Sequence, residues 1–348
     1  MNRRQFCLGT AALAVVPFRL RADTGFDLDA IERGRVLRLA EKALSEKPLT
    51  ITSIAAPRSP GTPHDYYSEA DYWWPDAAHP DGPYIRRDGF SNPQKFTAHR
   101  DALIRLSLIV PALAAAWRLT GEKRYADWAD AHLEAWFVAP ETRMAPHLEY
   151  AQAIVGLNKG RGIGIIDTLH LVEVARAVQM MGGHDKTVAW FRDYLGWLTT
   201  SPNGRSERDE KNNHGSCWLL QAASFARLTG DEPVIGWARE RFQTAILPNQ
   251  IAPDGSQPLE LARTKPYSYC LFNLDVLATL CHVLGGDLWQ GAMERAVAFM
   301  APFIADKSRW PYPPDVEQFD KLPVRQISLL FAGLALKRQD WLDLWRRL

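Results

Sequence analysis

The sequence predicts an all-α protein whose helical hairpins are set in a ring, an incomplete α/α barrel or α/α toroid. Three observations carry that reading. A junction phrase recurs along the chain, apolar residues recur at helical spacing between the junctions, and strand signals are weak throughout.

The first junction is Arg118-Leu119-Thr120-Gly121-Glu122-Lys123, leading into Tyr125-Ala126-Asp127-Trp128. Met180-Met181-Gly182-Gly183-His184-Asp185 leads into Trp190, Arg227-Leu228-Thr229-Gly230-Asp231 into Trp237, and Val283-Leu284-Gly285-Gly286-Asp287 into Trp289. In each, a glycine can close one helix in the left-handed conformation, and an acidic residue suits the positive end of the next. Gly121, Gly183, Gly230 and Gly286 follow one another at 47 to 62 residues. That is about one helix pair plus a return loop, too uneven for a simple solenoid. Between junctions, Asp101 to Thr120 carries apolar residues at 103, 106, 109, 110, 113 and 117, and Ile165 to Met181 and Ser216 to Leu228 read the same way.

Residues 57–96 break the pattern. They hold Pro57, Pro60, Pro63, Pro75, Pro80, Pro83 and Pro93, and a long structureless stretch in a compact domain is usually functional. It includes His64-Asp65-Tyr66-Tyr67-Ser68-Glu69-Ala70-Asp71-Tyr72-Trp73-Trp74. So many aromatics on a loop suit a wall or lid for sugar rings, or a hydrophobic plug against the toroid. One loop can do both.

The 348 residues are 47% hydrophobic with a formal net charge of +1. This is enough for a large core and gives no global basic field for nucleic acid. An acidic ligand has to be met by local Arg and Lys. At the N-terminus, Arg3-Arg4 precedes a short apolar run from Cys7 to Phe18, then Arg19-Leu20-Arg21-Ala22. This reads as a twin-arginine export signal, too short to span a bilayer. Residues 1–22 are therefore assigned to the signal and 23–348 to a single domain. The protein is expected to be periplasmic or secreted, with no membrane anchor once mature. Cys217, Cys270 and Cys281 remain, too few for a disulfide scaffold.

The chemistry concentrates in Lys211-Asn212-Asn213-His214-Gly215, Glu260-Leu261-Ala262-Arg263 and Tyr267-Ser268-Tyr269. Removing a proton next to a carboxylate needs groups that quieten the carboxylate charge and groups that move protons. Asn213 and Arg263 suit the first task, His214 and Tyr269 the second. Each also has a plain structural reading: Asn213 as a helix N-cap, Arg263 as an ion-pair partner of Glu260, Tyr269 as core. Lys159-Gly160-Arg161-Gly162 combines cations with glycines that let backbone N–H groups approach an anion. Arg86-Arg87 reads as a solvated turn. No metal-ligand spacing is present, and no cofactor is expected.

Taken with Ala98-His99-Arg100-Asp101 and Gln257-Pro258-Leu259-Glu260, these pieces resemble the alginate lyase superfamily of helical-toroid polysaccharide lyases. The likeness runs over most of the chain after the signal. It is closer to polysaccharide lyase family 38, which includes lyases for alginate and β-1,4-glucuronan, than to family 5. Arg263 and Tyr269 are six residues apart where family 5 has seven, which leaves Tyr267 as an alternative two positions away. The resemblance implies β-elimination on an acidic polysaccharide, with Asn213, His214, Arg263 and Tyr269 as the catalytic group. Substrate contacts are expected from His64, Tyr66, Tyr67, Tyr72, Trp73 and Trp74, from His99 and Arg100, from Lys159 and Arg161, and from Tyr267. Two alternatives stay open. A glycoside hydrolase would need paired carboxylates, drawn from Glu69, Asp71 and Asp76 with Asp209 or Glu210. A non-catalytic sugar binder would keep the aromatic loop without needing His214 and Tyr269.

Overall fold

A computed structural model describes residues 25–348; the twin-arginine segment lies outside them. The helices are α1 (Leu28–Leu44), α2 (Ala98–Thr120), α3 (Lys123–Leu133), α4 (Leu171–Met180), α5 (Asp185–Thr200), α6 (Pro202–Arg208) and α7 (Asn213–Thr229). There follow α8 (Glu232–Arg241), α9 (Pro258–Leu261), α10 (Pro266–Leu284), α11 (Ala292–Ala305), α12 (Ile327–Ala335) and α13 (Gln339–Arg347). Two short strand pairs complete the fold: β1 (Tyr67–Glu69) runs parallel to β4 (Tyr150–Ala153), and β2 (Trp73–Trp74) antiparallel to β3 (Ile85–Arg86).

The all-α toroid is what the chain forms. Helix α2 packs on α4, α4 on α7, α7 on α10 and α10 on α12. These make an inner row, and α3, α5, α8, α11 and α13 pack outside it. The inner helices are apolar nearly all round because they are covered on both sides. Ala98–Thr120 and Pro266–Leu284 are long and apolar enough to cross a membrane, yet 72% and 83% of those windows are buried in the fold. The ends of the described chain meet. Phe26 packs edge-on to Trp345, and Arg325 pairs with Glu32 at 2.6 Å.

Two of the four junctions close on a left-handed glycine as expected, and two differ. Gly121 and Gly230 are left-handed C-caps at φ 74° and 73°, and Asp231 caps α8 by accepting from the Val234 N–H. At the second junction the N-cap of α5 is His184 rather than an acid, with Asp185 the first helical residue. At the fourth, α11 begins at Ala292, past Asp287. Helix α4 is also shorter than the periodicity suggested: Gly162–His170 winds as a 3₁₀ helix. Cys217, Cys270 and Cys281 are buried, and no disulfide joins them to one another.

Candidate active site

Four helix starts and ends converge on one cavity at the end of the inner row. Its walls include Tyr72, Trp73, Arg86, Gln152, Arg161, His214, Arg263 and Tyr269, with Asp71, Ile163 and Ile166. Residues 71–90 roof it. The β2–β3 hairpin puts Trp73 opposite Arg86. One foot of the arch is the Tyr84 N–H on Val155 O at 3.1 Å. The other is Asp88, which accepts from Thr264 Oγ1 at 3.1 Å and lies 3.4 Å from Arg263 Nη2.

The Asn-His pair sits at the start of α7. The N-cap is Asn212, whose side chain accepts from the His214 N–H at 3.0 Å; Asn213 is the first helical residue. Gly215 is required because a Cβ there would lie 2.1 Å from Glu210 O. Glu207, on α6 and buried, accepts from His214 Nδ1 at 2.6 Å. That contact leaves Nε2 for the cavity. Burial pushes the Glu207 carboxyl above its ordinary range, with His214 pulling the other way. Asn213 does not line the cavity. It is fully buried, and its backbone N–H and Nδ2 donate to Glu260 Oε1 and Oε2 at 2.8 and 2.7 Å. Glu260 thus serves Asn213, and Arg263, just past α9, is free to reach elsewhere.

Arg263 reaches Tyr269. Its Nη2 donates to the Tyr269 hydroxyl at 2.8 Å, and its guanidinium carbon lies 4.2 Å from the ring centroid. The Tyr72 hydroxyl is 3.3 Å from the same oxygen. Tyr269 is held in the first turn of α10, which begins at Pro266, a position where proline's missing N–H costs nothing. The next two orphan N–H groups, of Tyr267 and Ser268, are taken by Asp315 at 2.8 and 3.0 Å. The same turn drives Tyr267 the other way. It is fully buried against Trp310 and Phe319, and its hydroxyl donates to Phe303 O at 2.9 Å. Both rings are buried, but Tyr269 lines the cavity whereas Tyr267 packs into the core.

Of the expected substrate contacts, Tyr72, Trp73 and Arg161 line the cavity. Trp74 stands beside it, its Nε1 donating to Phe90 O at 2.9 Å under the Arg87 guanidinium. The remaining expected contacts lie outside the cavity lining. Tyr66 and Tyr67 are buried, their hydroxyls donating to Asp167 at 3.2 Å and Glu69 at 3.1 Å. His99 is buried, accepting from the Tyr67 N–H through Nδ1 and donating from Nε2 to Ile54 O. Burial holds its imidazole below the usual range, against the pull of the Ile54 hydrogen bond. Arg100 is 2% exposed between Asp71 at 2.9 Å and Asp167 at 3.5 Å. Lys159 is exposed, away from the cavity lining. His64 lines a separate cleft of about 720 Å³ with Arg143 and Lys186.

Arg100 is therefore a structural cation. Arg100→Ala is expected to destabilise the fold by about 3–5 kcal/mol, because it strands buried carboxylates. Chemical denaturation checks this, and a loss under about 1 kcal/mol would contradict the buried-pair reading.

Sequence reasoning missed Gln152, Glu207, Asp88 and Asp167, and assigned Arg86 to a solvated turn. Asp167 is fully buried and accepts from Ser68 Oγ at 2.5 Å and Gln152 Nε2 at 3.0 Å, besides Tyr66 and Arg100. Asp71 is the one acid among the lining residues, and Arg100 and Lys95 flank it. Glu69 is held by Arg58 at 2.7 Å and the Phe96 N–H at 2.9 Å. Among the described residues, no second carboxylate joins Asp71 in the cavity lining, where a hydrolase would need a pair.

The comparisons with known proteins place this α/α toroid among the polysaccharide lyases. The alginate lyase family model matches residues 50–310, and the chain belongs to the alginate lyase family. An alginate lyase structure from Bacteroides ovatus is similar at 32% identity and TM-score 0.83, over 99% of this chain and 95% of that one. Alginate lyase A1-III from Sphingomonas species A1 shares the fold at 15% identity and TM-score 0.55, over 88% and 86%. Alginate lyase A1-III complexed with a tetrasaccharide does so at 15% and 0.56, over 92% and 88%. No curated protein matches the chain.

Proposed function

We propose that the protein cleaves β-1,4-linked polyuronates, polymannuronate or glucuronan, by β-elimination at this cavity. The observation that supports this best is the Tyr269 hydroxyl, which accepts from Arg263 and faces the cavity beside His214. A guanidinium donating to a phenol oxygen favours its oxyanion, the form able to take a proton. Tyr269 removes H5 of the uronate. The C5–H electron pair forms the C4=C5 double bond, the C4–O4 bond breaks, and O4 leaves with the proton returned by Tyr269. Arg263 offsets the charge that builds on the uronate carboxylate as C5 loses its proton. His214, with Nδ1 committed to Glu207, offers Nε2 to the same carboxylate region. Asn213 acts from behind, fixing the start of α7 against Glu260.

In β-D-mannuronate and β-D-glucuronate, H5 and O4 leave from the same face, so a single Tyr269 can serve both steps. In α-L-guluronate they lie on opposite faces. Polymannuronate and glucuronan are therefore expected to release ultraviolet-absorbing unsaturated ends faster than polyguluronate. A panel of the pure polymers measures this, and faster release from polyguluronate would sink the single-tyrosine reading.

Activity is also expected to survive dialysis against a chelator, since Arg263 can meet the carboxylate directly. Loss of activity restored by calcium or zinc would put a metal in that role instead. The twin-arginine segment at residues 1–22 is the basis for proposing export to the periplasm or beyond.

A further inference from the structure

Among the described residues, Gln152 is one of three non-glycine residues with positive φ, at 49°, and the one that lines the cavity. A left-handed backbone at such a residue costs energy and persists only where the surroundings hold it. Here both ends are held. Its N–H donates to Ser68 Oγ at 2.8 Å, and Nε2 donates to the buried Asp167 at 3.0 Å. On the other side its backbone O accepts from Arg161 Nε at 3.0 Å and its Oε1 from Arg161 Nη2 at 3.2 Å. An acid at one end of the amide and a cation at the other allow one orientation of the group. The strained φ turns backbone and side-chain oxygens onto the same guanidinium.

Arg161 is the odd cation of the cavity. Arg86 has Asp88 at 2.6 Å, and Arg263 has the same carboxylate at 3.4 Å. Among the described residues, no carboxylate lies within ion-pairing distance of Arg161. Burial lowers the guanidinium's hold on its proton, with Asp167 and Glu207 opposing from a distance. A partly buried cation without a counter-charge is costly to keep. Its backbone approach is fixed too: a Cβ on Gly160 would lie 2.0 Å from Glu149 O, and the Arg161 N–H donates to Ala151 O at 3.1 Å. The loop is built to deliver this side chain.

We propose that Arg161 anchors the carboxylate of the uronate next to the one undergoing elimination, and that Gln152 is the positioning residue that aims it. This rests on the polyuronate reading above. A polyuronate carries a carboxylate on every ring, and Arg263 with Tyr269 is committed to the reacting one. Arg161 therefore adds affinity for a second charged ring without entering the proton transfers. The enzyme thereby selects runs of uronate over polymers in which acidic and neutral sugars alternate.

Binding of a mannuronate tetrasaccharide and of its carboxyl-reduced neutral counterpart is measured by calorimetry in a Tyr269→Phe background, where turnover does not interfere. Adding Arg161→Ala is expected to weaken the charged ligand at least tenfold, leave the neutral one within twofold, and flatten the salt dependence of binding. Gln152→Gly, which relieves the positive φ, is expected to weaken the charged ligand in the same direction with the fold retained by melting. Arg161→Lys, which leaves Asp167 untouched, is expected to give an intermediate loss and decides the matter if the Gln152 variant unfolds. In the otherwise native enzyme, Arg161→Ala is expected to raise KM at least tenfold with kcat within threefold. Unchanged affinity for the charged ligand, or a fall in kcat at constant KM, overturns the proposal. Failure of the elimination reading shows separately, as no unsaturated product from the native enzyme, while the binding measurements still judge Arg161.

Discussion

Tyr269→Phe is expected to lower turnover by about 10²–10⁴, the span that a positioned acid–base group supplies, and to leave polymer binding intact. The substitution removes one oxygen and keeps the ring under the Arg263 guanidinium, 4.2 Å from its centroid. It takes away the atom to which Arg263 donates at 2.8 Å and which lies 3.3 Å from the Tyr72 hydroxyl. One group is asked to take the proton and give it back, so both steps fail together. Tyr267→Phe is the matched control. Its hydroxyl donates to Phe303 O inside the core, so that change is expected to cost about 0.5–1.5 kcal/mol of stability and little activity. Product formation at saturating substrate, with melting of both variants, measures the contrast. An inactive Tyr267 variant beside an active Tyr269 variant would reverse the assignment. Two fully active variants would mean that the elimination does not run through a tyrosine.

The parts legible in the sequence are those decided locally. Gly121 and Gly230 announce helix ends because a left-handed C-cap is a property of a few consecutive residues. His214, Arg263 and Tyr269 stand out because each lies at a helix start or end, where side chains converge from separate segments. Parts decided by packing across the chain leave no local mark. In the stretch from His64 to Trp74, every aromatic looks like a candidate wall residue. Contacts made far along the chain separate them: Tyr66 is buried with its hydroxyl on Asp167, and Tyr67 is buried where β1 pairs with β4, while Tyr72 and Trp73 line the cavity. By residue type Asn213 suits a neutraliser or an N-cap, and nothing local reveals that Glu260, 47 residues on, holds its amide. Gln152 left no signal at all. It lies between helical segments with no motif around it, and its importance comes from a backbone angle and from Asp167 and Arg161 on either side. Glu207 had a weak signal available, as an acid one short helix before the Asn-His pair.

Arg263→Ala is expected to lower kcat by about 10²–10³, comparable to removing a preorganised donor from a developing oxyanion, and to move the pH–rate profile. The sign follows from the contact. In the native cavity the guanidinium donates to the Tyr269 oxygen and so favours its deprotonated form. Without it, more of the phenol stays protonated at neutral pH, and the rising limb of the profile shifts to higher pH. The residual activity should therefore grow towards alkaline pH relative to the native enzyme. Arg263→Lys separates charge from geometry. An ammonium keeps the positive charge but lacks the planar fork that lets one group serve a phenol oxygen and a carboxylate together. It is expected to recover part of the pH shift and little of kcat. The arch should stay seated in both variants, because Asp88 keeps Thr264 at 3.1 Å and Arg86 at 2.6 Å. Initial rates across pH, with melting of each variant, provide the measurement. An alanine variant that kept more than about a tenth of kcat at neutral pH, far short of the loss expected for such a donor, would move charge neutralisation away from Arg263, with His214 next in line.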